Sequence, residues 1–356
     1  MSVEVAYVAS KGTHVFAGNG PAYNVNQIAI GPGTSIDGKF VASTPQANRR
    51  PFFNKFTYPD FLVPGPGGTL VPLTCCSSDL GNFLGNDASS NYNSLQVKVD
   101  KRFSHGLQFI SHYTFSHANN YDSDYYVDNP RIAYGPDDMN RNHVFVANIV
   151  YELPFGKGKM FGSGVGRAMD LVIGGWQLNS TSNWSSGLPW TPSYGECGQV
   201  ADAGPCRPNK NGSFKVGAGS FDAVNHDVVY FTPISGALTI TGQPTGTDFC
   251  AVAPPSGPGF ARPACGNIGN IGRNSFHGPR LFTSDLSVLK NFRVTERVTA
   301  QFRMDAFNVF NHPVLGFDSN EGGGRCIDCG GNNGKITGIE ADTTMRQLQF
   351  AVRFTF

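Results

Sequence analysis

Cysteine has the widest chemical reach of any residue type here, since a thiolate can attack carbon, ligate a metal or cross-link the chain. The sequence holds eight: Cys75, Cys76, Cys197, Cys206, Cys250, Cys265, Cys326 and Cys329. All lie in stretches rich in Gly, Pro and Asn rather than in strand-like runs. An even count in such stretches suits disulfides formed in an oxidising compartment. Cys326-Ile327-Asp328-Cys329 also has the C-x-x-C spacing that serves zinc. Neither a second C-x-x-C nor a nearby His pair supplies the other ligands of a tetrahedral site. We therefore expect no metal, and the simplest local pairs: Cys197 with Cys206, Cys250 with Cys265, and Cys326 with Cys329. The connectivity of Cys75 and Cys76 stays open.

Other groups carry less. Asp122, Asp124, Asp128, Asp137 and Asp138 cluster in one segment, but the EF-hand spacing is absent and they read as solvated loop acids. The run GKGKMFGSGVG, residues 156–166, lacks the G-K-[ST] ending and a preceding buried strand, so it reads as a turn. His105, His112, His143, His226, His277 and His312 are scattered, with neither a Ser/His/Asp set nor H-E-x-x-H. We expect no enzyme and no cofactor. Charged residues make up 15% of the chain and the net charge is +1, which gives no reason to expect a nucleic-acid partner. Tyr125, Tyr126, Trp190 and Tyr194 read first as loop or girdle packing, with ligand contact as the alternative.

The elements that would position these residues alternate with period two. Leu95, Val97, Val99 and Phe103 face away from Gln96, Lys98, Asp100 and Arg102. Trp176, Leu178 and Trp184 face away from Gln177, Asn179, Thr181 and Asn183. Phe302 and Met304 oppose Gln301, Arg303 and Asp305, and at the end Leu348, Phe350, Val352, Phe354 and Phe356 oppose Gln349, Arg353 and Thr355. Eight such strands are read. Short connections (104–106, about 154–172, 293–296) alternate with long ones (about 16–91, 118–142, 189–280, 311–345).

No apolar run reaches the ~18 residues of a spanning helix, so a membrane protein made from this sequence must be a barrel. Short periplasmic turns and long external loops are the pattern of an outer-membrane barrel. A soluble sandwich is the rival. Trp176 and Trp184 are spaced as two aromatic girdles would be, and an aromatic terminus suits a strand that closes a barrel onto its first strand. The fold expected is all-β, an antiparallel transmembrane β-barrel facing outer-membrane lipid. Lys98, Asp100, Arg102, Arg303, Asp305 and Arg353 are its lumen-facing candidates, as cross-strand ladders, plug contacts or solute contacts. The start, MSVEVAYVASKG, shows no signal peptide, so a fragment or truncated reading frame is expected.

Several stretches together resemble one family. YNSLQVKVDKRFSHGLQFISHYTFSHA, RNHVFVANIVYELPFGKGK, GGWQLNSTSNWSSGLPWT, GNIGRNSFHGPRLFTSDLSVLKNFRVTERVTAQFRMDAFNVFNHP and RQLQFAVRFTF resemble the barrel of TonB-dependent outer-membrane transporters, of the Oar-like kind with a carboxypeptidase-regulatory-like domain. The resemblance covers about residues 91–190 and 266–356. It implies a 22-stranded barrel of which this chain supplies the last eight strands or so, and a lumen plug. It also implies a segment gripped by TonB and active uptake of a large or scarce solute of unknown identity. It further implies that the terminal aromatic is read by the barrel assembly machinery. The alternatives are a passive porin-like or anchored barrel, and a soluble β-rich adhesion or binding module.

Overall fold

The computed structural model describes residues 1–15, 22–24, 55–75, 82–84, 86, 88–121, 130–195, 205–212, 220–222, 224, 227–231, 253–257, 259–264, 267–293, 295, 298–316, 324–329, 333–336, 338–340 and 344–356. The period-two segments form one antiparallel sheet. Its long strands are β1 (Ser2–Val15), β2 (Ala88–Ser104), β3 (Leu107–Tyr121), β4 (His143–Glu152), β5 (Trp176–Ser185), β6 (Leu281–Arg293), β7 (Thr299–Phe307) and β8 (Gln347–Thr355). They neighbour each other in chain order, and a short strand, Tyr134–Pro136, adds to the outer end of β3. The eight strands read from periodicity are thus the eight long strands found.

Register carries the alternation across the whole sheet. One continuous row runs Val5, Val97, Tyr113, Phe145, Trp184 and Phe282 through direct cross-strand pairs. Further along the same face, Leu178 meets Val288, Val288 meets Met304, and Met304 meets Phe350. A one-residue slip at any ladder would send a whole strand's apolar set to the opposite face, so the pattern specifies the register. Between the apolar positions lie Gln96, Lys98, His112, Asn148, Thr181, Asp285 and Gln301, sharing the second face. Val144, Val146 and Val150, which blur the pattern of β4, are on this polar face, opposite Thr114, His112 and Gln108.

Turn chemistry fixes the short connections. His105 and Gly106 both have positive φ (54° and 79°), the requirement of a two-residue type I′ hairpin between Ser104 and Leu107. A Cβ at Gly175 (φ 70°) would stand 2.4 Å from the Asn291 carbonyl oxygen, so that corner accepts only glycine. The turn between β4 and β5 contains a feature the sequence reading did not include, the helix α1 (Arg167–Ile173), bounded by Gly166 and Gly174. The GKGK run lies in this turn, with Gly156, Gly158 and Gly162 at positive φ, as its turn reading requires.

Among the described residues β8 pairs only with β7 and β1 only with β2, leaving both outer edges of the sheet open, as eight strands of a wider barrel would. One expectation needs correction. At Arg102 and Phe103 the alternation fails, because the β2–β3 register shifts between Lys101 and Ser104 and the strand bulges there. Arg102 is exposed, and its pairing does not fix it on the polar face.

Candidate functional site

At the end of the sheet opposite the short turns, the long connections build a hydrophobic core of their own. Trp190 stacks on Phe231 with centroids 5.6 Å apart and packs against Phe276 at 5.4 Å, while Phe260 meets Phe231 edge-on at 5.2 Å. Tyr194, Tyr230, Ile271, Ile327 and Ile336 complete the cluster. Aromatic pairs at these separations add to what their buried area contributes. Trp190 and Tyr194, read first as packing residues, are buried here, so they are not an open ligand surface.

Polar pins join the segments. Arg262 and Asp328 form a buried ion pair (Nε to Oδ2, 2.6 Å), and Arg262 also donates to the Gly195 carbonyl while its guanidinium lies 4.8 Å from the Tyr194 ring centre. Asp328 Oδ1 accepts from the Gly195 backbone N–H at 2.8 Å. Arg273 reaches from the loops to the sheet, donating to Asn120 Oδ1 (2.6 Å) and Asp138 Oδ2 (2.8 Å). Asp138 also accepts from Asn274 Nδ2, and Asp137 from Asn120 and the Met139 backbone. These two acids therefore hold loop and strand together. Arg141 pairs with Glu340 and donates to the Ser186 carbonyl (2.9 Å), tying three connections at one point.

Cys326 and Cys329 are bonded to each other, as expected, and their Cα atoms are 5.6 Å apart. With Asp328 they form a set with metal-ligand geometry, but in the disulfide neither sulfur is a thiolate able to ligate. Cys206 is also disulfide-bonded. Cys76, Cys197, Cys250 and Cys265 lie outside the described residues, as do Asp122, Asp124, Asp128, Tyr125, Tyr126 and His226, and the side chain of Cys75 is likewise not described.

Beneath the loop core is a cavity of about 490 Å³ lined by Val228, Tyr230, His277, Pro279, Arg280, His312, Leu315 and Ile336. Small-molecule sites run from roughly 300 to 1,000 Å³ and combine apolar walls with a few polar groups. The Tyr230 hydroxyl donates to the His277 carbonyl at 2.6 Å, and burial pushes its pKa up to about 12 although the charge of Arg280 acts the other way. The imidazole of His277 stays partly open to solvent, yet desolvation first, then the charges of His117 and His143, hold its pKa below the usual value. At neutral pH the cavity thus offers a neutral phenol, a neutral imidazole and a guanidinium against an apolar wall. That set has the chemistry to complement an anionic or hydrogen-bond-accepting group.

Of the histidines read as scattered, His277 comes within electrostatic reach of His143 and also of His117, which the sequence reading does not single out. The legible signal is positional: His117 and His143 fall at the loop ends of β3 and β4, and His277 shortly before β6 at the same end of the sheet. Arg262, Arg273 and Asp328 had no comparable signal.

The sequence-read lumen residues are distributed along the polar face. Lys98 faces Glu4 across β1 and β2 at 3.6 Å, and Arg303 Nε donates to Asp305 Oδ1 at 2.8 Å along β7. Asp305 is buried and accepts from Ser287 on β6. Asp100 stands opposite Ser2 and Ile110, and the exposed Arg353 opposite Gln301. Trp176 and Trp184 share the apolar face at its two ends, Trp176 beside α1 and Trp184 with its ring 6.4 Å from that of His143. Leu348, Phe350, Val352 and Phe354 also lie on that face, and Phe356 extends past the strand, almost wholly exposed.

A sheet apolar on one face and polar on the other, with tight turns at one end and packed loops at the other, is the wall of an outer-membrane β-barrel. The family model of the outer membrane beta barrel domain matches residues 1–349, and the chain belongs to that family. No curated protein and no solved structure matches the chain. Among the described residues no helix is long and apolar enough to cross a membrane, and the protein resides in the outer membrane as a barrel. The soluble-module alternative is thereby set aside.

Proposed function

We propose that this barrel wall belongs to a TonB-dependent, Oar-like active transporter that captures a large or scarce solute in its external loops. The observation that carries the reading is the open sheet. Eight strands suffice to close a small barrel, and backbone edges cannot stay unpaired in hydrocarbon. Strands beyond these eight would cover both edges and make a wider barrel, whose lumen calls for a plug. The cavity at Tyr230, His277 and Arg280 is the solute's first contact. Lys98, Asp100, Arg303, Asp305 and Arg353 then face the plug or the passing solute. TonB, engaging a segment outside these residues, supplies the work that moves the plug. Leu348, Phe350, Val352, Phe354 and Phe356 serve as the handle for the barrel assembly machinery.

A passive porin-like barrel is the second reading, favoured by the half-exposed polar rows, which would equally border a water-filled channel. Planar-bilayer conductance of the full-length protein, paired with pull-down by the periplasmic domain of TonB, separates the two. A silent bilayer with TonB capture is the expected outcome. Steady ion conductance without TonB binding would overturn the transporter reading.

A further inference from the structure

The short-turn end carries a site that transport does not use. The α1 helix is fastened to the apolar outer face: Lys290, paired in register with Trp176, donates to the carbonyls of Val172 (3.2 Å) and Gly174. Its ammonium lies 5.0 Å from the Trp176 ring centre and 5.3 Å from that of Phe292. Trp176 Nε1 donates to the same Val172 carbonyl at 2.9 Å. The helix C-terminus is thereby capped against the barrel wall, while Met169, Leu171 and Val172 remain exposed, as do Phe155, Met160 and Phe161 in the same turn. In water that much apolar surface is unfavourable. At the boundary between headgroups and acyl chains it is what an interfacial element presents.

Beside the helix, between this turn and the one joining β6 to β7, lies a cleft of about 890 Å³. Its charged lining among the described residues is Lys157, Arg167 and Arg293 with one carboxylate, Asp170. Asp170 Oδ1 already accepts from the Lys157 backbone N–H at 2.6 Å. Among the described residues the lining therefore carries more cationic than anionic groups, next to exposed apolar side chains, at the height where short turns meet the periplasmic leaflet. We propose that it seats the phosphate headgroup of an anionic phospholipid of that leaflet, with the acyl chains along the outer face beside α1. The complementarity is of charge for the headgroup and of apolar surface for the chains. This inference rests on the outer-membrane placement and is independent of the transport reading, so a conducting pore would leave it standing.

The test is lipid retention by the full-length protein in mild detergent, read by native mass spectrometry with phosphatidylglycerol, phosphatidylcholine and glycerol phosphate as probes. The wild type should retain phosphatidylglycerol in preference to phosphatidylcholine. Each of Lys157→Gln, Arg167→Gln and Arg293→Gln should weaken that retention about fivefold, the effect of one basic residue at an anionic surface. Equal retention of the two lipids, or undiminished phosphatidylglycerol in the triple variant, overturns the proposal. Glycerol phosphate binding as well as the lipid would also overturn it, since the site would then take a soluble phosphate. Photo-crosslinking of the wild type with a diazirine phosphatidylglycerol needs no variant. Labels should concentrate at residues 167–173 and 292–293, and labels spread evenly around the barrel wall count against the site.

Discussion

Arg262 pins the external assembly at a buried point, because its loss strands Asp328 as a buried, unpaired charge. Breaking a buried pair from one side costs about 3–5 kcal/mol, more than the net worth of the pair itself. Arg262→Met should therefore expose the loops to protease while heat-modifiability of the sheet on gels stays unchanged. Removing both charges with the Asp328→Leu partner change should recover much of the loss. His277 makes the same assembly sensitive to acid. Its folded pKa is lowered, so the unfolded loop binds the proton more readily, and stability present above about pH 6.5 is lost as pH falls toward the folded value. Emission from the buried Trp190 should report loosening on acidification, and His277→Gln should flatten that response. An unchanged pH profile in the variant would remove His277 as the source of the acid sensitivity.

Strand faces give the sharpest contrast among elements. Val352 pairs with Phe302 on the apolar face, while Gln301 pairs with Arg353 on the polar one. An Arg on a lipid-facing position near the midplane costs ~2–4 kcal/mol, and on a lumen-facing position little. Val352→Arg and Phe302→Arg should thus lower the folded fraction of the full-length barrel, and Gln349→Arg and Gln301→Arg should not. Equal tolerance on both faces would contradict the lipid assignment. The terminal Phe356 tests a different interaction. Its side chain touches almost nothing in the fold, so any assembly defect of Phe356→Asp, measured as outer-membrane fraction at equal synthesis, comes from recognition rather than lost packing. These faces were legible in the sequence because period two is local and each strand repeats it. The helix α1 was not, since seven residues between glycines give too short a window for a helical period to show. The loop core was not either, because its aromatics come from segments far apart in the chain and no spacing rule links them.

For the whole molecule the open edges decide most. Amides on the outer sides of β1 and β8 should exchange rapidly in the isolated chain in micelles, and slowly in the full-length protein if further strands cover them. Rapid exchange in both would leave these as true edges and undo the wide-barrel reading. Between the edges, neighbouring strands pair across connections of very different length: β5 and β6 pair directly although residues 186–280 separate them, whereas β4 and β5 are joined by residues 153–175. Closing a loop roughly fourfold longer adds only about 1.3 kcal/mol, since the cost grows with the logarithm of length. The sheet's register is therefore little affected by the length of the inserted segment, while the insert shares its core with Ile327 and Ile336 and its pins with Asp328, Asp138 and Asn120. The mouth is thus inherited as a set: a lineage could exchange the 186–280 insert without renegotiating a single strand register, but only by replacing in step the partners it grips at Asn120, Asp138 and Asp328.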